Sequence, residues 1–267
     1  MIKIGLIGGS GLDDPAILKA IQIIEIDTPY GQPSSTLKIG RINNTEVVLL
    51  ARHGRQHTIP PSQVNYRANI SALKQIGCTH IIATTAVGSL KEEIKPGDLV
   101  ILDQFIDFTK RRINTFYSKF KPHRPSHCQM AKPFSNELRQ ILINGCQALN
   151  LAYHKTGTVV TVEGPRFSTK AESNMFRQWK ADVINMSIAT EAALANEIGI
   201  PYAAIAMSTD YDCWKENEEA VTWEKVLKTF NNNVEKVNKL LTNTLGNIKE
   251  NTWQKQIKDK IRTVPDW

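Results

Sequence analysis

Asp210 and Asp212 stand one residue apart in Ala206-Met-Ser-Thr-Asp-Tyr-Asp-Cys-Trp, directly after the apolar run Pro201 to Met207. That run is short and rich in small and aliphatic residues, so it reads as a buried strand. In an open α/β sheet, ligands bind beyond the carboxyl ends of the strands, where these two carboxylates would sit. A 6-aminopurine shows an acceptor at N7 beside an N6 amino donor. One protonated and one ionised carboxyl group complement that pattern. For the pair alone, a solvated acidic turn or a helix N-cap is the simpler alternative.

Three further strand ends carry groups suited to an oxyanion. Lys3 to Ile7 reads as a strand, and Gly8-Gly9-Ser10-Gly11 follows it as a tight turn. The turn is not a dinucleotide fingerprint, because Asp14 stands where G-x-G-x-x-G needs its third glycine, and there is no Walker lysine. What it offers is free backbone N–H groups and the Ser10 hydroxyl, a nest for a small anion. Val47 to Ala51 leads into Arg52, a planar fork for phosphate, and His53, a second donor. His80 to Thr84 leads into Thr85 and Ala86. Singly these are a surface arginine, a core-edge histidine and a capped turn. Together with the aspartates they suggest inorganic phosphate beside a purine.

The elements that position these residues alternate. Pro15 predicts a helix running through Ile17, Ala20 and Ile21. Helices are expected over Ala68 to Ile76, Leu138 to Leu149 and Glu191 to Ile198, with Gly77 and Gly199 closing the first and last. Leu99 to Ile106 and Thr158 to Val162 read as strands. From Glu224 onward Leu227, Phe230, Val234, Val237, Leu241 and Leu245 recur at helical spacing, an amphipathic helix. The pattern predicts an α/β fold: one domain over 1–267, a central mixed β-sheet flanked by helices. The 267 residues are 41% hydrophobic and 22% charged, enough for a sizeable core, and the net charge is +7. That charge suits an anionic substrate or a nucleic acid, although many lysines lie beside acidic residues as on a solvated helix face.

Thr109 to Ser126 interleaves Lys110, Arg111, Arg112, Lys119, Lys121 and Arg124 with Phe116, Tyr117 and Phe120. Such a segment could bind single strands, but a long loop in a compact domain is more often a lid or subunit contact. Cys78, Cys128, Cys146 and Cys213 form no metal-like spacing, the first residues show no signal-peptide pattern, and no apolar run approaches the ~18 residues needed to span a bilayer. A reduced, cytoplasmic protein without membrane or nucleic-acid partner is the expectation.

Ile7-Gly-Gly-Ser-Gly-Leu-Asp-Asp, Leu50-Ala-Arg-His-Gly-Arg-Gln-His, Thr84-Thr-Ala-Val-Gly-Ser-Leu, Val162-Glu-Gly-Pro-Arg-Phe-Ser, Ile184-Asn-Met and Thr209-Asp-Tyr-Asp-Cys-Trp resemble, in order and spacing, the motifs of the methylthioadenosine phosphorylases. These belong to the trimeric purine nucleoside phosphorylase group. The resemblance runs from about residue 3 to about residue 245. It implies a purine nucleoside phosphorylase-like fold, phosphate as co-substrate, no cofactor or metal, and a homo-oligomer, by the group's pattern a trimer. It implies that Ser10, Arg52, His53, Thr85, Ala86 and Ser187 surround phosphate. Met186 would lie under the ribose, Phe167 and Ser168 beside the purine, and Asp210 and Asp212 at the base. Trp223, Val226 and Leu227 would line the pocket for the 5′-substituent, and His127 would reach it from a neighbouring subunit. Two departures stand out: Trp223 replaces a small aliphatic residue, and Met186-Ser-Ile-Ala-Thr-Glu191 has Ser187 for threonine and Thr190 for proline.

The implied reaction is phosphorolysis of 5′-methylthioadenosine to adenine and 5-methylthioribose 1-phosphate. Phosphate attacks and stabilises a cationic sugar while protonated Asp210 donates to N7 and ionised Asp212 accepts from N6, roles that could be exchanged. The alternatives are a phosphorylase of adenosine or of 5′-methylthioinosine or inosine, a hydrolytic nucleosidase, and a non-enzymatic nucleotide- or RNA-binding protein.

Overall fold

The computed structural model describes residues 1–9, 17–123, 125–215 and 223–249, with backbone only at 20, 223–228 and 230. In chain order its first strands are β1 (Lys3–Gly8), β2 (Lys19–Ile24), β3 (Leu37–Ile42), β4 (Thr45–Ala51), β5 (His80–Ser89) and β6 (Leu99–Ile101). They continue as β7 (Gln104–Phe108), β8 (Tyr153–His154), β9 (Thr158–Val162), β10 (Val183–Asn185) and β11 (Tyr202–Asp210). The helices are α1 (Tyr66–Gln75), α2 (Asn136–Ala148), α3 (Lys170–Gln178), α4 (Ile188–Glu197) and α5 (Trp223–Thr244).

All eleven described strands join one mixed sheet, whose main path runs β2-β3-β4-β1-β5-β10-β9-β7. The central strand is β5, paired in parallel with β1 near its start and with β11 along most of its length. Near its end it pairs with β10 antiparallel. Successive side chains of a strand point to opposite faces, and both faces of this sheet are covered. On one face Leu50, Ile81 and Ala204 pack with Ile70 and Leu73 of α1 and with Ile188 and Ala192 of α4. On the other, Ile4, Ile82 and Ile205 pack with Leu138 and Leu142 of α2 and with Val237 and Leu241 of α5. Burial on both sides is why the central strands read as unbroken apolar runs.

Two sequence expectations fail. The helix expected through Ile17, Ala20 and Ile21 is not formed there: Ala20 and Ile21 belong to β2, which pairs antiparallel with β3. The β-branched Ile21, Ile23 and Ile24 suit an extended edge strand better than a helix. Pro15 itself lies outside the described residues. The single strand expected over Leu99 to Ile106 is two, β6 on β11 and β7 on β9. The chain changes partners at Leu102 and Asp103, whose backbone groups turn to Arg139 and Gly157.

The basic segment after β7 is tied to its own chain. Glu163 accepts the Lys110 and Arg111 amides at 2.7 and 3.0 Å and Arg112 Nε at 3.0 Å. Glu197 accepts the Thr115 hydroxyl and the Phe116 amide, both at 2.7 Å. Phe116 is buried and packs on Tyr30, while Phe120 remains exposed. Arg124 lies outside the described residues.

Candidate active site

The carboxyl ends of β1, β4, β5, β10 and β11 open on one cavity of about 480 Å³. Gly9, Arg52, His53, Thr85, Ala86, Met186 and Ser187 line it, together with Phe167, Ser168, Asp210 and Asp212. Ser10 lies outside the described residues, and so do the side chains of Trp223, Val226 and Leu227 at the start of α5. His127 is exposed, with its ring against Phe120, and is not among the residues lining this cavity.

Arg52 is almost fully buried, and its fork is not free in the way the sequence suggests. Its Nε donates to Glu191 Oε1 at 2.5 Å, Nη2 to Glu191 Oε2 at 2.9 Å and Nη1 to the Thr84 carbonyl at 2.8 Å. A guanidinium has five N–H donors, so one on each Nη remains for a ligand. Burial works against the charge, but Glu191 more than offsets it and holds the guanidinium protonated above its ordinary range.

His53 departs from expectation too. Its Nδ1 faces the Ile59 carbonyl at 2.9 Å, and a carbonyl can only accept, so Nδ1 carries the proton. Burial, and after it the charge of Arg52, pushes His53 down to about 4. The ring is therefore neutral at pH 7, and Nε2 is an acceptor, not a second donor. It suits a protonated phosphate oxygen. Beside it, Asn185 donates to the Thr85 hydroxyl at 3.2 Å and its Oδ1 accepts from Thr161. Ser187 precedes α4 yet makes no side-chain cap, which leaves its hydroxyl at a helix N-terminus facing the cavity.

Gly88 lies three positions beyond Thr85 on β5, about 10 Å further along the strand. Here the carboxylates converge. Asp210 ends β11, and its Oδ1 accepts the Asp212 amide at 2.8 Å, an Asx turn that explains the spacing of the pair. Asp212 takes the left-handed backbone conformation at φ 53°, which aspartate tolerates better than most residues. A side chain on Gly88 would crowd Asp210, Asp212 and Ile184 at 3.1 to 3.2 Å. The two carboxyls are unequal. Asp210 Oδ2 lies 2.6 Å from the Thr209 hydroxyl, which also faces the Val87 carbonyl at 3.2 Å. Asp212 is raised above the ordinary carboxyl range, chiefly by burial. The two groups therefore sit in different surroundings, and their roles as acid and acceptor stay exchangeable, as in the sequence reading.

Met186 and Phe167 also line the cavity. Gly164, at φ 64°, abuts the Met186 thioether so closely that a β-carbon there would displace it. The Met186 carbonyl faces the Tyr66 hydroxyl at 3.3 Å, and Tyr66 in turn accepts from Arg112 at 2.9 Å. Phe167 is 60% exposed at the rim. The Ser168 hydroxyl is buried against the cavity without a hydrogen-bond partner among the described residues. No cluster of His, Cys, Asp and Glu able to hold a metal occurs among them either, and no described helix is long and apolar enough to cross a membrane.

A profile described as the phosphorylase superfamily matches residues 3–246. The chain belongs to that superfamily. It is 54% identical over 258 residues to the S-methyl-5′-thioadenosine phosphorylase of Danio rerio, covering 96% of this chain and 92% of that protein. The Drosophila melanogaster S-methyl-5′-thioadenosine phosphorylase is 51% identical, with 96% and 89% covered. A solved methylthioadenosine phosphorylase from Schistosoma mansoni in complex with adenine superposes with a TM-score of 0.90 at 42% identity, covering 97% of this chain and 96% of the other. A mutant adenosine/methylthioadenosine phosphorylase from the same organism, in complex with methylthioadenosine, gives 0.88 at 42% identity over 97% and 96%.

Within this phosphorylase superfamily chain, the sequence reading passed over several residues that shape the cavity. Asn185, Thr209 and Gly88 stand inside quoted motifs, but their work is to hold other side chains or to leave room, which residue type alone does not announce. His57, which lines the cavity and whose ring lies 4.6 Å from that of His53, was visible in the Arg-His-Gly-Arg-Gln-His motif. Arg112 sits in the basic segment, whose composition suggested a nucleic-acid, lid or subunit-contact role. Nothing in sequence signalled that its side chain is buried against Glu163 and Tyr66.

Proposed function

We propose that this protein is an enzyme, a pentosyltransferase that cleaves 5′-methylthioadenosine with inorganic phosphate to give adenine and 5-methylthioribose 1-phosphate. The observation that carries the reading is one cavity lined both by the oxyanion-suited Arg52, Thr85 and Ser187 and by the carboxyl pair Asp210 and Asp212. The phosphorylase names of relatives at about half identity support it.

Phosphate is held by the remaining Arg52 N–H groups, the Thr85 and Ser187 hydroxyls and the Ala86 amide, with Ser10 completing the set by its place in the motif. His53 accepts from a protonated phosphate oxygen. A phosphate oxygen attacks C1′ as the C1′–N9 bond breaks, and the bonding pair moves onto the purine. The anion stabilises the cationic sugar. Asp210 and Asp212 share one proton and act as a unit: one carboxyl group delivers the proton to N7 while the other accepts from the N6 amino group. A 6-oxo group would meet a carboxylate lone pair, so adenine is favoured over hypoxanthine. Met186, Phe167 and Ser168 hold the nucleoside. Trp223, Val226 and Leu227 supply an apolar 5′-pocket by their place in the family pattern. We further propose a homotrimer in which His127 serves a neighbouring subunit's pocket, working in the reduced cytoplasm that four free thiols suit.

The test is adenine release with methylthioadenosine, adenosine and methylthioinosine side by side, with and without phosphate. Methylthioadenosine should be the best substrate, and release should require phosphate. Full activity in phosphate- and arsenate-free buffer would overturn the reading. Arg52→Ala should raise KM for phosphate far more than KM for nucleoside.

A further inference from the structure

We propose that Glu191 and Tyr202 are positioning residues of the anion site, acting on phosphate only through Arg52. The inference rests on the phosphate reading above and deepens it. Arg52 and Glu191 lie 139 residues apart and meet in the core, where Glu191 is fully buried. Glu191 comes from α4, whose N-terminus faces the cavity, and Tyr202 opens β11, whose far end bears Asp210. The Tyr202 hydroxyl donates to Glu191 Oε2 at 2.8 Å, the oxygen that also receives Arg52 Nη2. Burial, and after it the Glu191 charge, keeps the Tyr202 hydroxyl protonated well above its ordinary range, so it stays a donor.

This arrangement answers a problem inherent in a buried arginine. A long side chain with a mobile fork loses rotamer freedom each time it grips an anion, and an unpaired charge in the core is costly. The Glu191 carboxylate takes two donors in a bidentate grip, and the Thr84 carbonyl takes a third at 2.8 Å. Three contacts fix the guanidinium plane before any anion arrives. Gly9 lets the fork lie close, since a β-carbon there would stand 3.3 Å from Nη1. The buried pair is neutral as a unit. The anion therefore meets two fixed N–H groups, one on each Nη, and the Ser187 end of α4, not a mobile cation. Neither Glu191 nor Tyr202 is among the residues lining the cavity.

Tyr202→Phe and Glu191→Gln separate this role from general support of the fold. Initial rates are measured against phosphate at saturating methylthioadenosine, and against methylthioadenosine at saturating phosphate. The phosphate-induced rise in Tm is recorded alongside. Tyr202→Phe should raise KM for phosphate roughly threefold to tenfold, the range of one ordinary net hydrogen bond, since its effect on the anion is indirect, with KM for nucleoside unchanged. Glu191→Gln should raise it further, by about tenfold or more. In an Arg52→Ala background, Tyr202→Phe should leave KM for phosphate where Arg52→Ala alone puts it, because its effect passes through the guanidinium. If Glu191→Gln does not fold, Tyr202→Phe and the double variant carry the test. Equal loss against both substrates, or additive effects of Tyr202→Phe and Arg52→Ala, would overturn the proposal. A parent enzyme indifferent to phosphate in both rate and Tm would instead overturn the phosphate reading beneath it.

Discussion

At the scale of single residues, the carboxyl pair illustrates how environment decides what residue type cannot. The sequence placed two aspartates at a strand end and suggested that they divide the labour of one acid and one carboxylate. Residue type leaves the two roles exchangeable, and the structure adds that the Thr209 hydroxyl and the Asp212 amide both face Asp210. Burial raises Asp212 above the ordinary carboxyl range. The acid form is the catalytic one, so kcat/KM for methylthioadenosine should fall as pH rises through the raised carboxyl pKa. Asp212→Asn should lower kcat/KM by about 10²–10⁴ and remove that decline, since an amide cannot release a proton to N7. A pH–rate series for parent and variant checks this. A variant that keeps the same decline would place the titrating group elsewhere. His53 teaches the same lesson: its residue type suggested a donor, and only the Ile59 carbonyl identified an acceptor.

At the scale of elements, legibility followed burial. The central strands β1, β4, β5, β9 and β11 were readable because burial on both faces leaves continuous apolar runs. Helices α1, α2 and α4 were readable from apolar period, with closing glycines for α1 and α4. Edge strand β2 was misread because a proline signal upstream outweighed three isoleucines, and the break between β6 and β7 was missed because both halves are apolar. Glycines mark where elements touch without announcing what for. Gly88 separates β5 from the carboxyl pair, whereas Gly145 in α2 faces Thr244 and Leu240 of α5 too closely for any added carbon. Gly88→Ala should therefore raise KM for nucleoside several-fold with little change in Tm or in KM for phosphate. Gly145→Ala should do the opposite: overpacking of about 1–3 kcal/mol lowers Tm by several degrees while both KM values hold. Paired thermal and kinetic measurements on the two variants distinguish a site contact from a packing contact.

At the scale of the whole molecule, two predictions reach beyond the cavity. The first is assembly. Ile113, Phe120 and His127 are exposed on the segment after β7, whose Lys110 to Phe116 stretch is tied to Glu163 and Glu197, and the proposed subunit contact would fall on this segment. Sedimentation should find a trimer, and His127→Ala should raise KM for methylthioadenosine without altering KM for phosphate. A fully active monomer at assay concentration would contradict both. The second is the response to acid. His53 and His80 are both pushed down to about 4, His80 by burial at the start of β5. In the unfolded chain each titrates near its ordinary 6.5. Above pH 6.5 neither state binds the proton, and stability is unaffected. Between about 6.5 and 4 the unfolded chain takes protons that the folded chain refuses, so stability falls by up to about 1.4 kcal/mol per pH unit for each histidine. Below about 4 both states are protonated and this loss levels off. His80 lies at the opposite end of β5 from Gly88, so its replacement should leave catalysis intact. His80→Gln should then lose less stability than the parent between pH 7 and pH 5, with unchanged KM for both substrates. Denaturant unfolding at the two pH values measures the difference, and equal losses in parent and variant would show that His80 does not resist protonation in the fold.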